Sequence, residues 1–203
     1  MMPSMLRPLA LVALVLGFGF TGLATSIPAA EAAPKKKYHF KLAAVTPKPE
    51  VDEAVARQAT PRLDAMIQKT FRTHAQLVAV LDGAPDPKGK PHAYRKFLAK
   101  KGVAGAFLVT VEITEAELEI EPMESKPNSQ RIVARIGLHL LGENIPGQTM
   151  GFTGDGRATI KLEVGKRIRD RDREYAWDLA TESAIAEAMT TVFQQLAAPK
   201  KKR

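Results

Sequence analysis

Alternation of apolar and polar residues divides the chain into runs with two different periods. Tyr38, Phe40, Leu42 and Ala44 alternate with His39, Lys41 and Ala43, which predicts a half-buried strand over about 38–46. "TPKPE" ends it, and Val51, Val55, Ala59, Leu63, Met66, Ile67 and Phe71 then recur at helical spacing. Pro61 interrupts that stripe. Thr60 is a capping residue and proline suits a first helical position, so the pattern allows one kinked helix or two abutting ones. "QLVAVLD" at 76–82 is short, apolar and rich in β-branched residues, and predicts a second, buried strand. After the loop "DGAPDPKGKP", "HAYRKFLAKKG" predicts a short helix with Tyr94, Phe97 and Leu98 inward, closed by Gly102 in the left-handed conformation.

From 104 the period returns to two. Phe107, Val109, Val111 and Ile113 share one parity, but Leu118 and Ile120 share the other. A strand cannot change faces without an extra residue, so a bulge is expected near Thr114–Ala116. "PMESKPNSQ" turns the chain. Ile132, Ile136, Leu138 and Leu140 face inward on the next strand, and Ala158, Ile160, Leu162 and Val164 on the one after, with the glycine-rich "GENIPGQTMGFTGDG" between them. The last element places Trp177, Ala184, Ile185, Ala188, Met189, Val192 and Leu196 on one side of a helix that must cover the sheet. The expected class is α/β (α+β): a single domain over 38–197 in the order β-α-β-α-β-β-β-α. Its mixed sheet contains an antiparallel three-stranded meander covered by helices.

The first 32 residues have another character. "MMPSMLR" carries one Arg, "PLALVALVLGFGFTGLA" is apolar without interruption, and "TSIPAAEAA" is small and polar, the three-part layout of a secretory signal peptide. Ala30-Glu31-Ala32 places the cleavage between Ala32 and Ala33. An uncleaved membrane anchor is the rival reading of the apolar run. The chain contains no cysteine, so disulfides are excluded, and the thiol on which bacterial lipoproteins are acylated is missing. The localisation expected from the sequence is therefore exported, periplasmic or extracellular, and not that of a lipoprotein.

The formal charge of +8 suggests an anionic partner until it is divided along the chain. "AAPKKK" occurs at 32–37 and again at 197–202. Lys35, Lys36, Lys37, Lys200, Lys201, Lys202 and Arg203 supply most of the excess, and residues 38–199 hold 22 basic against 21 acidic side chains. The basicity thus lies in an N-terminal arm at 33–37 and a tail at 198–203, candidates for binding an anionic polymer or membrane surface. It does not form the broad basic face of a specific nucleic-acid site.

Candidate chemistry is sparse. His39, His74, His92 and His139 have no i, i+4 pairing, so no metal site is expected, and no cofactor. Ser125, Ser129 and Ser183 stand in neither Gly-x-Ser-x-Gly nor Ser-x-x-Lys. "GAPDPKGKP" has five residues between Gly83 and Gly89, and Pro91 where a phosphate loop needs a hydroxyl. "GDGRA" at 154–158 reads as a turn. Glu115, Glu117, Glu119 and Glu121 form an acidic row whose simplest account is cross-strand pairing, Glu117 with Arg135 and Glu121 with Arg131, in one antiparallel register.

"GVAGAFLVTVEI", followed by "RIGLHLLGENIPGQTM" and an alanine-rich final helix, resembles the periplasmic domain shared by curli-secretion-channel proteins and outer-membrane activators of penicillin-binding proteins. The resemblance covers about 38–197. It departs from those families in lacking the lipid-bearing cysteine and in having Gly105-Ala106 where an acidic residue is common. It implies a non-enzymatic envelope protein that assembles or regulates something else. The first functional expectation is thus an exported accessory factor, with no catalytic residues, acting on an envelope protein partner through protein contacts. A binder of anionic polymer through its basic arms is the alternative, and a hydrolase with an unrecognised site the third. Intact-mass measurement on the exported protein is expected to show a chain beginning at Ala33. Retention of residues 1–32 would make the apolar run an anchor.

Overall fold

The computed structural model describes residues 36–198. Ala32, Ala33, Lys35, Lys200, Lys201, Lys202 and Arg203 lie outside the described residues, as does the whole apolar run near the N-terminus. Seven elements follow in order: β1 (Lys37–Pro47), α1 (Glu53–Thr73), α2 (Pro91–Lys100), β2 (Val103–Pro122), β3 (Ser129–Ile145), β4 (Met150–Gly165) and α3 (Asp170–Ala197). They form a mixed sheet in the order β1-β2-β3-β4, with β1 parallel to β2 and the other pairs antiparallel. The expected class and the three-stranded meander are both present.

The period of two survives into the sheet because each strand buries one face. Val109, Val111 and Ile113 of β2 are fully buried, as are Ile132, Ala134 and Ile136 of β3. Between Ile113 and Glu115 the β2–β3 register shifts at Thr114, inside the expected interval. That extra residue keeps Ala116 and Leu118 in the same core as Ile113 despite their opposite parity. The acidic row is consequently turned to the opposite face. There Glu117 stands opposite Arg135 and Glu121 opposite Arg131, as the shared register requires.

Two helices cover the apolar face. α1 is one helix, not two, although Pro61 lies inside it. Asp52 caps its start by accepting hydrogen bonds from the backbone N–H of Ala54 and Val55. α3 presents an alanine-rich stripe, with Ala176, Ala180, Ala184 and Ala188 wholly buried. α2 lies on the other side, where Tyr94 and Leu98 pack with Val103 and Ala106 in a small second cluster. Phe97, expected inward, is half-buried. Gly102 ends the turn after α2 at φ +67°, as expected.

One expected strand is absent. Segment 76–82 makes a single bridge, Tyr38 to Leu77, through Tyr38 N–H to Gln76 O (2.9 Å) and Val78 N–H to Tyr38 O (2.8 Å). The reason is that its side chains divide between two cores: Leu77 joins the main cluster, whereas Val78 and Leu81 pack with α2 on the other side. A chain that crosses the sheet edge cannot also run along it. A second correction concerns the glycine-rich stretch. β3 continues to Ile145 and β4 starts at Met150, so most of "GENIPGQTMGFTGDG", including the supposed turn at 154–158, is strand.

Those glycines admit α3. A Cβ on Gly156 would fall on the carbonyl oxygen of Ala184 and within 2.9 Å of the Ala188 Cβ; one on Gly154 would lie 2.9 Å from the Ala188 carbonyl oxygen. Backbone cannot yield there as a flexible side chain would. Gly156→Ala is therefore expected to cost about 1–3 kcal/mol by overpacking. Gly165→Ala, where a Cβ meets open space, is expected to be nearly neutral. Urea denaturation of the two variants checks this, and equal stabilities would refute the close-approach account.

Candidate functional site

α1 and α3 run in the same direction across the sheet but are separated by two cavities. The larger, about 820 Å³, lies between the C-terminal halves of the helices and is lined by Tyr38, Met66, Thr70, Ala186, Met189 and Phe193 among others. The second, about 720 Å³, lies between the N-terminal halves near Pro61, Leu118 and Trp177. Arg62 reaches across from α1 to Glu174 (3.4 Å) and Asp178 (3.8 Å) of α3, so exposed ion pairs bridge the two helices there.

The larger cavity is predominantly apolar, with a rim of Thr70, Thr73 and Thr190. Its aromatic wall is built from three elements: the Phe193 ring of α3 stacks on His74 after α1 (4.6 Å, 12° between planes) and parallel to Phe40 of β1 (6.0 Å, 10°). His74 also accepts the Gln76 N–H at Nδ1 (3.2 Å). Tyr38 donates from its hydroxyl to the Leu196 carbonyl (3.3 Å), tying β1 to the last turn of α3. Met66 and Met189 add flexible, polarisable walls. Charge stands at the edge, with Lys36 and Lys69 against Glu182.

Among the residues expected to carry function, Lys36 lines this cavity, and Lys37 opens β1. Ala197 lines it too, so both basic segments join the folded body at its mouth. The sequence reading placed Met66 and Met189 simply in the core. It passed over Phe193, whose signal was its place between the stripe positions Val192 and Leu196. The histidines are not gathered. His39 pairs through Nδ1 with the Val78 carbonyl (2.8 Å), and His139 with Asp155 (2.6 Å) on the open face of the sheet. Among the described residues no three His, Asp or Glu side chains converge as metal ligands. None of the described helices is long and apolar enough to cross a membrane.

The open face is an ion-pair lattice. Arg135 binds Glu119 at 2.7 Å and Glu117 at 2.9 Å, and these hydrogen bonds raise its pKa above the ordinary arginine value. Arg131 approaches Glu121 (3.8 Å) and Lys48 approaches Glu112 (3.8 Å). Pairs this exposed select register more than they stabilise. Glu117, Glu119 and Glu121 of the acidic row thus have the cross-strand cationic partners that the sequence pattern led one to expect.

No family model matches the chain and no curated protein matches it. Solved structures do. The hypothetical protein CT253 from Chlamydia trachomatis is 15% identical, over 80% of this chain and 99% of that one, with a TM-score of 0.46. Protein XCC0632 from Xanthomonas campestris is 11% identical over 82% and 90%, with a TM-score of 0.42. Rare lipoprotein B from Shewanella oneidensis is 10% identical over 78% and 93%, with a TM-score of 0.33. Likeness at this level bears on fold alone. None of these three is by name a curli-secretion-channel protein or an activator of penicillin-binding proteins, so the resemblance seen in the sequence is not repeated among them. One expectation is corrected outright. The sequence reading held the chain apart from lipoproteins, yet rare lipoprotein B and two further matched structures are lipoproteins by name.

Burial raises the pKa of Tyr38, and of Tyr94 in the second cluster, above the ordinary tyrosine value of 10.0. The folded protein then keeps both phenols protonated at a pH where the unfolded chain releases them. The stabilisation is complete below about pH 10 and is lost as pH rises toward the folded-state pKa. Denaturation midpoints are expected to fall above about pH 10, and to fall less steeply in a Tyr38→Phe/Tyr94→Phe double variant. Identical alkaline slopes would show that neither phenol is linked to folding.

Proposed function

We propose that this chain is an exported, non-enzymatic protein of the cell envelope that works by holding a partner protein, and that the partner lays an amphipathic helix into the trough between α1 and α3. The observation that carries this reading is the trough itself, an apolar channel bounded by parallel helices, with a polar threonine rim. Helix-in-groove recognition requires such walls, and methionine side chains let them adapt to the incoming face. Catalysis would call for a nucleophile, a base and an orienting group in one cleft. In the larger cavity His74 is stacked on Phe193, and the hydroxyls of Thr70, Thr73 and Thr190 donate to carbonyls of their own helices rather than to a base.

The basic arms fit the same reading. Lys35, Lys36, Lys37, Lys200, Lys201, Lys202 and Arg203 are joined to the body beside the trough, which suits a helix with acidic residues flanking its apolar face. Exposed charges of this kind speed encounter and choose orientation more than they add affinity, so binding should weaken with salt while the apolar contact sets the lifetime.

Two measurements test the proposal. A photo-crosslinking amino acid at the exposed Thr190, on the trough rim, is expected to capture one defined protein in intact cells. The same probe at the exposed Ser125, in the turn between β2 and β3, is expected not to capture it. Ala186→Arg, which fills the trough from an exposed helical position, should abolish the adduct while leaving the circular dichroism unchanged. Equal capture at both positions, or an adduct indifferent to Ala186→Arg, would refute it.

A further inference from the structure

β4 is an edge strand, and its two halves are treated differently. In the first half α3 reaches around the edge with residues one turn apart. Gln195 accepts the Thr153 N–H (2.7 Å), Thr191 donates to the Asp155 carbonyl (3.3 Å) and Glu187 accepts the Arg157 N–H (2.7 Å). Side chains four residues apart on a helix thus satisfy alternate residues of a strand, and strand addition is blocked there. These bonds also establish that odd-numbered residues of β4 direct their backbone groups outward. The β3–β4 register is unbroken from Gly165 to Phe152, so the same holds for Thr159, Lys161 and Glu163. Among the described residues no α3 side chain hydrogen-bonds to the backbone of that second half, although its apolar face packs against the core. There the helix-facing Ile160, Leu162 and Val164 are only half-buried, whereas Phe152, Gly154 and Gly156 in the first half are buried.

We propose that residues 159–165 of β4 pair antiparallel with the same segment of a second copy of this chain, joining two sheets about a two-fold axis at Leu162. The register follows from charge. Outward backbone groups must meet outward backbone groups, so odd residues face odd residues. Centring on Lys161 or Glu163 would set like charges opposite each other. Centring on Ile160 would engage Arg157, whose N–H is already held by Glu187. Centring on Leu162 uses only the uncapped segment. It places Lys161 opposite Glu163 of the second copy, twice over, with Ile160 opposite Val164 and Leu162 opposite itself. Glu163 is already held at 2.7 Å by Lys126, so the incoming lysine would share a carboxylate that is fixed in place.

The test is the association state of the protein expressed from its full-length sequence, measured by sedimentation across a concentration series at low salt. The wild type is expected to dimerise. Lys161→Glu and Glu163→Lys, both at exposed positions, should each weaken the dimer about tenfold or more by creating two like-charge pairs. The double exchange K161E/E163K should restore it, and an equimolar mixture of the two single variants should form heterodimers. Circular dichroism of each variant confirms folding. A monomer at every concentration overturns the proposal. So does a dimer that both single variants leave intact, since another surface would then be responsible.

Discussion

The close approach of α3 to β4 is the contact on which the rest of the fold depends. A helix normally stands about 10 Å from a sheet because side chains fill the space between. Here alanines meet glycines: Ala184 and Ala188 lie over Gly154 and Gly156, leaving no room for a Cβ on the strand. The contact is backbone on backbone. It gains dispersion energy over a tightly packed surface and removes conformational options from both elements. The same proximity brings Glu187, Thr191 and Gln195 within hydrogen-bonding distance of the strand edge, so one packing decision also caps half of that edge.

The sheet carries out two unlike tasks on its two faces, and the bulge at Thr114 keeps them separate. Before it, odd residues of β2 belong to the core; after it, even residues do. If Thr114 took its place in regular alternation instead of bulging, Glu117, Glu119 and Glu121 would be driven under the helices, at a desolvation cost far above the value of any exposed ion pair. With the bulge, the carboxylates meet Arg131 and Arg135 on the open side. Val133 shows how densely that lattice covers the surface. It is wholly buried although it lies on the open face, opposite Glu119 on one side and Lys161 on the other.

These local conflicts explain what the sequence made legible. The parity change between Ile113 and Leu118 could be resolved in only one way, and two charge pairs with one common register located the β2–β3 pairing. Segment 76–82 was misread because composition reports burial without reporting where. Leu77 and Val78 are both apolar, but they enter different cores. The glycines at 154 and 156 were misread for a related reason. Glycine marks a turn when the chain must bend, and equally marks a strand that another backbone approaches, and only the partner distinguishes the two. The trough was not legible, because a helical stripe counts Met66 and Met189 of its walls as core and leaves out Thr70, Ala186 and Phe193 beside them.

That trough is a consequence of the α3–β4 contact. Four strands span roughly 14 Å between their outer axes, so two helices lying centrally over the sheet would be close enough to pack against each other. α3 is instead drawn toward the β4 edge by the glycine pair, while α1 lies toward β1, where Phe71 meets Phe40 edge to face (5.5 Å). The helices are held apart by their separate attachments to the sheet. What crosses the gap is Arg62 with its two carboxylates, together with the tilted and stacked rings of Tyr38, Phe40 and Phe193 at its floor. Adding bulk to α3 would not close the opening, since its position is dictated from the strand side. An apolar channel therefore persists between the helices, and it persists because the close α3–β4 contact lies beside it.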